Sequence, residues 1–135
     1  DLMADIEFAK ENNLEYVQMK ELLRDSDIVT LHLPLDNDTK DLFDMNLFMQ
    51  MKKGAIFINT SRGKIVDENA LFDALRCGQI GYACLDVFRN EPYVGKLKEL
   101  DNITLTCHVG SYAKEARVAM ERQAVENLLK GLVGS

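Results

Sequence analysis

Three side chains that could carry chemistry stand at similar places in this sequence. Arg62, Glu91 and His108 each follow, within a few residues, one of three successive apolar runs rich in β-forming residues. Ligands of open α/β sheets bind beyond the carboxyl ends of the strands, so we expect these side chains to meet at one rim. A guanidinium, a carboxylate and an imidazole together suit the interconversion of a carbonyl and an alcohol on an acidic substrate.

The role of each group follows from its chemistry. Arg62 offers a rigid fork of N–H donors that can hold a substrate carboxylate and polarise the neighbouring carbonyl. His108 can take or give a proton near neutral pH, and Glu91 can hydrogen-bond its second ring nitrogen and so fix the tautomer. No side chain supplies a hydride, and the reaction therefore requires a bound cofactor.

Each of these residues also has an ordinary structural interpretation. Taken singly, Arg62 fits a surface ion pair, Glu91 a loop carboxylate and His108 a strand-end polar group with local partners. His32 is better explained by a structural or cofactor-lining role than by catalysis, and Cys107 by packing. It is the order of the three site residues, and the strings around them, that favours a functional site.

Four apolar runs predict the strands that position these groups. They cover residues 28–33, 55–58, 82–88 and 103–106. The first lacks alternation of apolar and polar residues, which is typical of a strand buried on both faces of a parallel sheet. Helical patterns separate the runs, and such an order implies βαβ crossovers. We therefore expect one α/β unit with a mostly parallel, doubly wound sheet.

The intervening segments carry helix signals. Asp67 is predicted as an N-cap because its carboxylate can accept the free N–H groups of a first turn. The helix behind it presents an apolar face and stops near Gly78. A stripe of apolar residues along the last helix predicts core packing. The helices are expected at residues 1–13, 19–24, 46–51, behind Asp67, and at 113–130, the stripe being Ala113, Ala116, Met120, Ala124 and Leu128.

The composition narrows the class of partner. The chain has 16 Lys and Arg against 22 Asp and Glu, a formal net charge of −6, which argues against binding to nucleic acid or to an anionic membrane. No apolar run approaches the ~20 residues that span a bilayer, and no signal peptide is evident. Three cysteines and two histidines form no zinc-ligand spacing, so we expect no metal site, reduced thiols and a cytoplasmic location.

Longer strings around the site residues carry a family resemblance. They lie in the same order and at similar spacing as the signatures of the D-isomer-specific 2-hydroxyacid dehydrogenases, and the similarity runs from Asp1 to Leu132. The chain therefore resembles the NAD-binding domain of that family. The strings are Met51 to Gly63 (MKKGAIFINTSRG), Val66-Asp67, Ala70-Leu71, Leu85 to Phe88 (LDVF), Glu91-Pro92 and His108 to Ser111 (HVGS).

The resemblance implies a cofactor, NAD, and a role for each site residue. Arg62 would orient the substrate, Glu91 would support the histidine, and His108 would act as acid and base. Asp86 would contact the nicotinamide side of NAD, and Asp1 the adenosine ribose hydroxyls. The remaining residues implied at the cofactor crevice are His32, Leu33, Pro34, Leu35, Thr60, Ser61 and Gly110.

Two positions depart from the family pattern. Cys107 stands where the family usually has proline, which would loosen the turn that aims His108. Arg89 stands where many members have an acidic residue, and little harm is expected because the catalytic carboxylate corresponds to Glu91. A carboxylate at that place disfavours the formate dehydrogenases, whose pattern predicts glutamine.

The resemblance also predicts which part of the fold is present. In the doubly wound order 3-2-1-4-5-6, the chain corresponds to a partial Rossmann-like sheet that lacks its first two strands, the glycine-rich phosphate loop and the substrate domain. Residues 1–135 would be the carboxyl-terminal part of a dinucleotide-binding domain, with its third strand at Tyr16-Val17. The run at 28–33 would be an edge, against which another chain could pack. Without the phosphate loop, we expect weak NAD binding and no turnover by these residues alone.

Three functions fit the resemblance. The first is an NAD-dependent enzyme that interconverts a D-2-hydroxy acid and its 2-keto acid, as a homodimer. The segment from His108 to Arg117 is most similar to phosphoglycerate-dehydrogenase-like proteins, which suggests 3-phosphoglycerate as the substrate. Glyoxylate/hydroxypyruvate reductases and D-lactate dehydrogenases stay open as alternatives. The choice between NAD and NADP as the cofactor stays open as well. The second is an NAD(H)-sensing corepressor-like interaction protein of the same fold. The third is an inactive remnant kept for oligomerisation.

Overall fold

A four-stranded parallel sheet forms the centre of the chain. The computed structural model describes residues 4–133. The sheet runs in the order β1-β2-β3-β4, and its register aligns Leu31 with Asn59 and Asn59 with Leu85, so that the strands end close together at one edge. The strands are β1 (Ile28–Leu31), β2 (Ala55–Asn59), β3 (Ile80–Leu85) and β4 (Ile103–Leu105).

Five α-helices connect or flank these strands. Asp67 caps the fourth, as predicted, because its carboxylate accepts from Asn69 N at 2.9 Å and Ala70 N at 3.2 Å. Asp44 caps the third in the same way, accepting from Leu47 N at 3.0 Å. The helices are α1 (Ile6–Glu11), α2 (Met19–Asp25), α3 (Met45–Gln50), α4 (Glu68–Arg76) and α5 (Lys114–Val133), with 3₁₀ turns at Gly63–Ile65 and Lys96–Glu99.

The core lies on one face of the sheet. Parallel strands in consecutive order, joined by right-handed crossovers, place their connecting helices on the same side. Along β2, accordingly, Phe57 is fully buried whereas Ile56 and Ile58 on the opposite face are half-buried. Phe57 packs against Phe43 and Phe48 at ring-centroid distances of 5.2 Å. The described residues thus form one half of a doubly wound architecture, and the predicted α/β class is confirmed.

The edge position of β1 is confirmed, but its expected burial is wrong. The strand ends at Leu31 rather than at Leu33, and exposure alternates along it. Ile28 is 56% exposed whereas Val29 is buried, because helices cover one face only. Tyr16-Val17, predicted as a strand, is not one. In place of strand pairing, the Tyr16 hydroxyl accepts from Asp5 N at 3.0 Å.

The predicted core role of the last helix is also wrong. Met120 and Leu128, two members of the apolar stripe, are 59% and 63% exposed, and Ala116 is half-buried. Helical periodicity reports that a face is apolar but not which element covers it. Within residues 4–133, no helix is long and apolar enough to cross a membrane, and no cluster of potential ligand side chains suits a metal ion.

Candidate active site

The turn after β2 is built on a buried asparagine. Asn59 is 1% exposed, and its Oδ1 accepts from Ser61 N at 3.0 Å and from Ser61 Oγ at 2.8 Å. Its amide Nδ2 donates to the Arg62 carbonyl at 3.1 Å. Asn59 was not predicted from the sequence to have a role, although a polar residue at an inward position of an apolar strand is a signal of one. Asn59 fixes the backbone from which Arg62 projects.

The segment that carries His108 is held by Asp86, at the end of β3. This carboxylate is 7% exposed and accepts from Thr106 Oγ1 at 2.5 Å, Val109 N at 2.9 Å and Gly110 N at 3.0 Å. Burial alone would raise the pKa of Asp86, but these hydrogen bonds hold it below its usual value. Asp86 therefore ties down both sides of the histidine as an ionised acceptor.

His108 and Glu91 form a direct pair. His108 has a φ of 56°, a left-handed conformation that is uncommon for non-glycine residues. Its Nδ1 lies 2.9 Å from Glu91 Oε2, and Glu91 Oε1 accepts from Phe88 N at 3.0 Å. The hydrogen bonds from His108 and Phe88 lower the pKa of Glu91. Because an ionised carboxylate only accepts, Nδ1 must be the donor, which leaves Nε2 free for a substrate oxygen.

Arg62 shares a cavity with this pair. The cavity is about 300 Å³ in volume, and Arg62, Glu91 and His108 all line it. The Arg62 guanidinium is exposed and donates from Nη1 to the Ser61 carbonyl at 2.6 Å. The structure therefore brings the three predicted catalytic residues to one place, as the parallel sheet required. A guanidinium beside an oriented imidazole can bind a carboxylate while a proton is exchanged.

Gly63 sets how closely the two loops approach. A Cβ built on Gly63 would lie 1.9 Å from the carbonyl carbon of Phe88 and 2.5 Å from Arg89 N. No side chain fits in that space, so glycine lets the loop of Arg62 lie directly against the loop of Glu91.

A second cavity adjoins the first and collects most of the predicted cofactor residues. Leu35 and Arg62 line both cavities, which therefore lie next to each other at the carboxyl edge of the sheet. Neighbouring cavities at this edge suit an extended ligand that occupies both. The second cavity is lined by His32, Leu33, Pro34, Leu35, Ser61 and Arg62.

The individual cofactor assignments stay predictions. His32 is exposed, with Nε2 at 3.1 Å from Thr30 Oγ1, and Thr60 is exposed at the end of β2. Asp86 and Gly110 are joined to each other, as described above. Asp1 lies outside the described residues.

The sequence relatives of this chain include proteins named as reductases of glyoxylate and hydroxypyruvate. The chain is 42% identical over 125 residues to a glyoxylate reductase of Korarchaeum cryptofilum, covering 91% of the chain and 38% of that protein. It is 44% identical over 124 residues to glyoxylate/hydroxypyruvate reductase B of Escherichia coli, covering 90% of the chain and 38% of that protein. The chain thus spans little more than a third of the length of these relatives.

Solved structures agree with the sequence relatives. The holo form of D-mandelate dehydrogenase from Rhodotorula graminis superposes with a TM-score of 0.86 at 38% identity, covering 95% of the chain and 38% of that structure. Residues 3–110 match the family described as D-isomer specific 2-hydroxyacid dehydrogenase, NAD binding domain. The predicted resemblance is therefore confirmed, and the chain belongs to the NAD-binding domains of the D-isomer-specific 2-hydroxyacid dehydrogenases.

Proposed function

We propose that residues 1–135 act as the carboxyl-terminal part of the NAD-binding domain of a longer dehydrogenase, which interconverts a D-2-hydroxy acid and its 2-keto acid. The observation that supports this most is the His108–Glu91 pair, with its Nδ1–Oε2 distance of 2.9 Å, lining one cavity with Arg62. Reduction of a 2-keto acid requires a group that binds the carboxylate and a positioned proton donor, and the guanidinium and the oriented imidazole can fill these two roles.

In the direction of reduction, Arg62 binds the substrate carboxylate through two parallel N–H donors and so fixes the keto group near the imidazole. A bound dihydronicotinamide supplies the hydride. His108 gives its Nε2 proton to the oxygen that becomes the hydroxyl. Glu91 keeps the ring oriented through its contact with Nδ1. In oxidation, the same Nε2 accepts the hydroxyl proton.

The relatives favour a short substrate. They are named as reductases of glyoxylate and hydroxypyruvate. We therefore rank these two acids first. The 3-phosphoglycerate suggested by the resemblance, the choice between NAD and NADP, and a homodimer stay predictions.

The test uses the natural full-length polypeptide that contains this sequence. Consumption of NADH and of NADPH is measured with glyoxylate, hydroxypyruvate, pyruvate and 3-phosphohydroxypyruvate. We expect turnover of at least one of these acids, and loss of that turnover in Arg62→Met. The matched control is Arg24→Met, because Arg24 pairs with Asp25 on the exposed surface at 2.6 Å. Absence of turnover with every acid would overturn the proposal.

The isolated chain provides a second test. Residues 1–135 contain no glycine-rich phosphate loop between a strand and a helix, and such a loop commonly holds the pyrophosphate of a dinucleotide. We therefore expect purified residues 1–135 to bind NADH weakly, by fluorescence titration, and to oxidise no 2-hydroxy acid. Steady-state turnover by this piece alone would show that residues 1–135 are sufficient for catalysis, contrary to this expectation.

A further inference from the structure

Three loops meet at the carboxyl edge of the sheet, and two of them are joined through their backbones. The loop after β1 bonds to the loop after β2 from Asp41 N to the Lys64 carbonyl at 2.9 Å and from Phe43 N to the Ile65 carbonyl at 3.0 Å. A return bond runs from Asp67 N to the Phe43 carbonyl at 3.0 Å. The third loop, after β3, carries Glu91 and so determines where the imidazole is held.

Arg89 connects this third loop to both of the others. Its guanidinium forms an ion pair with the Asp41 carboxylate, and Nη2 also donates to the Val66 carbonyl at 3.4 Å. Its backbone N–H donates to Glu68 Oε1 at 2.6 Å. One residue therefore contacts the loop after β1, the loop after β2 and the first turn of α4.

The partners of Arg89 are themselves fixed in place. Asp41 has a φ of 55° and is anchored by its own N–H, so its carboxylate is presented at a defined position. The side chains of Arg89 and Asp41 are 33% and 44% exposed, which makes a large contribution of this pair to global stability unexpected. The value of such a planar fork is geometric, because it can satisfy a carboxylate and a carbonyl together.

Arg89 also borders the candidate active site. It lies two residues before Glu91 and lines the same cavity as Arg62 and His108. The Phe88–Arg89 backbone lies directly against Gly63, and the Arg89 side chain adds the contacts to Asp41 and Val66. These contacts restrict movement of the loop that carries Glu91, and with it changes in the separation between the guanidinium of Arg62 and the imidazole.

We propose that Arg89 is a positioning residue, which sets the separation of Arg62 from the Glu91–His108 pair by joining the three loops. The proposal rests on the function proposed above, and it adds a residue that acts through the position of the Glu91–His108 pair. It also revises the expectation that arginine at this position is of little consequence.

The experiment uses the natural full-length polypeptide and compares kcat and KM for the best 2-keto acid. We expect Arg89→Met to lower kcat about tenfold to a hundredfold, because a displacement of about 1 Å can cost that much. Arg89→Lys should recover part of this loss. Arg24→Met is the control and should leave kcat and KM unchanged.

Two results would overturn the proposal. One is that Arg89→Met lowers only the unfolding midpoint while kcat and KM, measured well below that midpoint, are unchanged. The other is that Arg89→Lys, which keeps a positive charge opposite Asp41, is no more active than Arg89→Met.

The outcome can be separated from that of the proposed function. If the unaltered polypeptide reduces no 2-keto acid, the NMR signals of the His108 ring replace kcat as the readout. They should shift in Arg89→Met and not in Arg24→Met, because only the former releases the loop that carries Glu91. Unchanged ring signals in Arg89→Met would then reject the positioning role.

Discussion

The two halves of the candidate site are held very differently. His108 is fixed at its ring by Glu91 and at its flanking backbone by Asp86, through contacts of 2.9 to 3.0 Å. Arg62 has a fixed backbone, but its guanidinium is exposed and donates to the neighbouring Ser61 carbonyl. The group proposed to exchange the proton is pre-organised, whereas the group proposed to bind the substrate keeps N–H donors available.

This difference matches what the two tasks demand. Proton transfer depends on the direction of one nitrogen atom, and hydrogen bonds at both ends of a residue supply that direction. Capture of a carboxylate needs free N–H groups, which a tightly bound guanidinium would lack. Variants in both halves can test this contrast between a fixed and an open half.

The largest effect is expected from His108→Asn. Loss of a positioned acid and base should lower kcat by about 10²- to 10⁴-fold with little change in KM. Arg62→Lys should instead act mainly by raising KM, because an ammonium keeps the charge but loses the paired donors. Steady-state kinetics of the natural full-length polypeptide check both. Equal effects of the two variants on KM would remove the distinction between the halves.

The next effect concerns Asp86. In Asp86→Asn one carboxylate oxygen becomes an NH₂ group, which faces an N–H of Val109 or Gly110 instead of accepting from it. We expect the free energy of unfolding to fall by about 2–3 kcal/mol, the scale of a lost charged hydrogen bond. Urea unfolding measures it. A loss below ~0.5 kcal/mol would mean that the fixed half does not depend on this carboxylate.

A similar or smaller effect on the free energy of unfolding is expected from Gly63→Ala, where the loop of Arg62 lies against the loop of Glu91. Gly63→Ala places a methyl group against the Phe88 carbonyl and should destabilise by about 1–3 kcal/mol through forced backbone shifts. Gly131→Ala is the matched control, because a Cβ there meets no atom within 4 Å. Gly131 lies in the last turn of α5, and alanine there should stabilise by up to about 1 kcal/mol. The same sign of effect for both variants would contradict the close approach.

The smallest expected effect is on the way the urea midpoint of unfolding varies with pH. The hydrogen bonds from His108 and Phe88 lower the pKa of Glu91 in the folded chain, below the unfolded value of about 4.3. The stability that this provides is present above that value and is lost as the pH falls through the folded pKa. Urea midpoints should therefore fall less steeply below pH ~4.3 in Glu91→Gln. Glu7→Gln, on the exposed side of α1, is the control, and equal slopes for both variants would reject the coupling.

Much of the site could be predicted because parallel strands deliver their ends to one edge. Arg62, Glu91 and His108 follow consecutive strands, and strand order alone required them to meet. The supporting contacts were not predictable in the same way. Asp86 holds a segment more than 20 residues away through backbone N–H groups, and backbone donors have no residue-specific pattern in a sequence.

In the fold, too, features set by sequence neighbours could be predicted, whereas features set by distant residues could not. The Asp67 cap was predicted because its partners lie within three residues along the chain. The burial of β1 and of the stripe on α5 was mispredicted, since apolar character states what a face prefers and not what lies against it. The contacts of Arg89 could not be predicted for a related reason, because Asp41 and Val66 are brought beside it only by the fold.

The two oxygens of Glu91 have a practical consequence for spectroscopy. One accepts from the ring of His108 and the other from the backbone N–H of Phe88, so a single carboxylate joins the imidazole to a main-chain amide. A change of charge on the ring alters the electron density that the Phe88 amide senses through this relay. The amide resonance of Phe88 is thus expected to report on the state of the His108 ring in the absence of substrate.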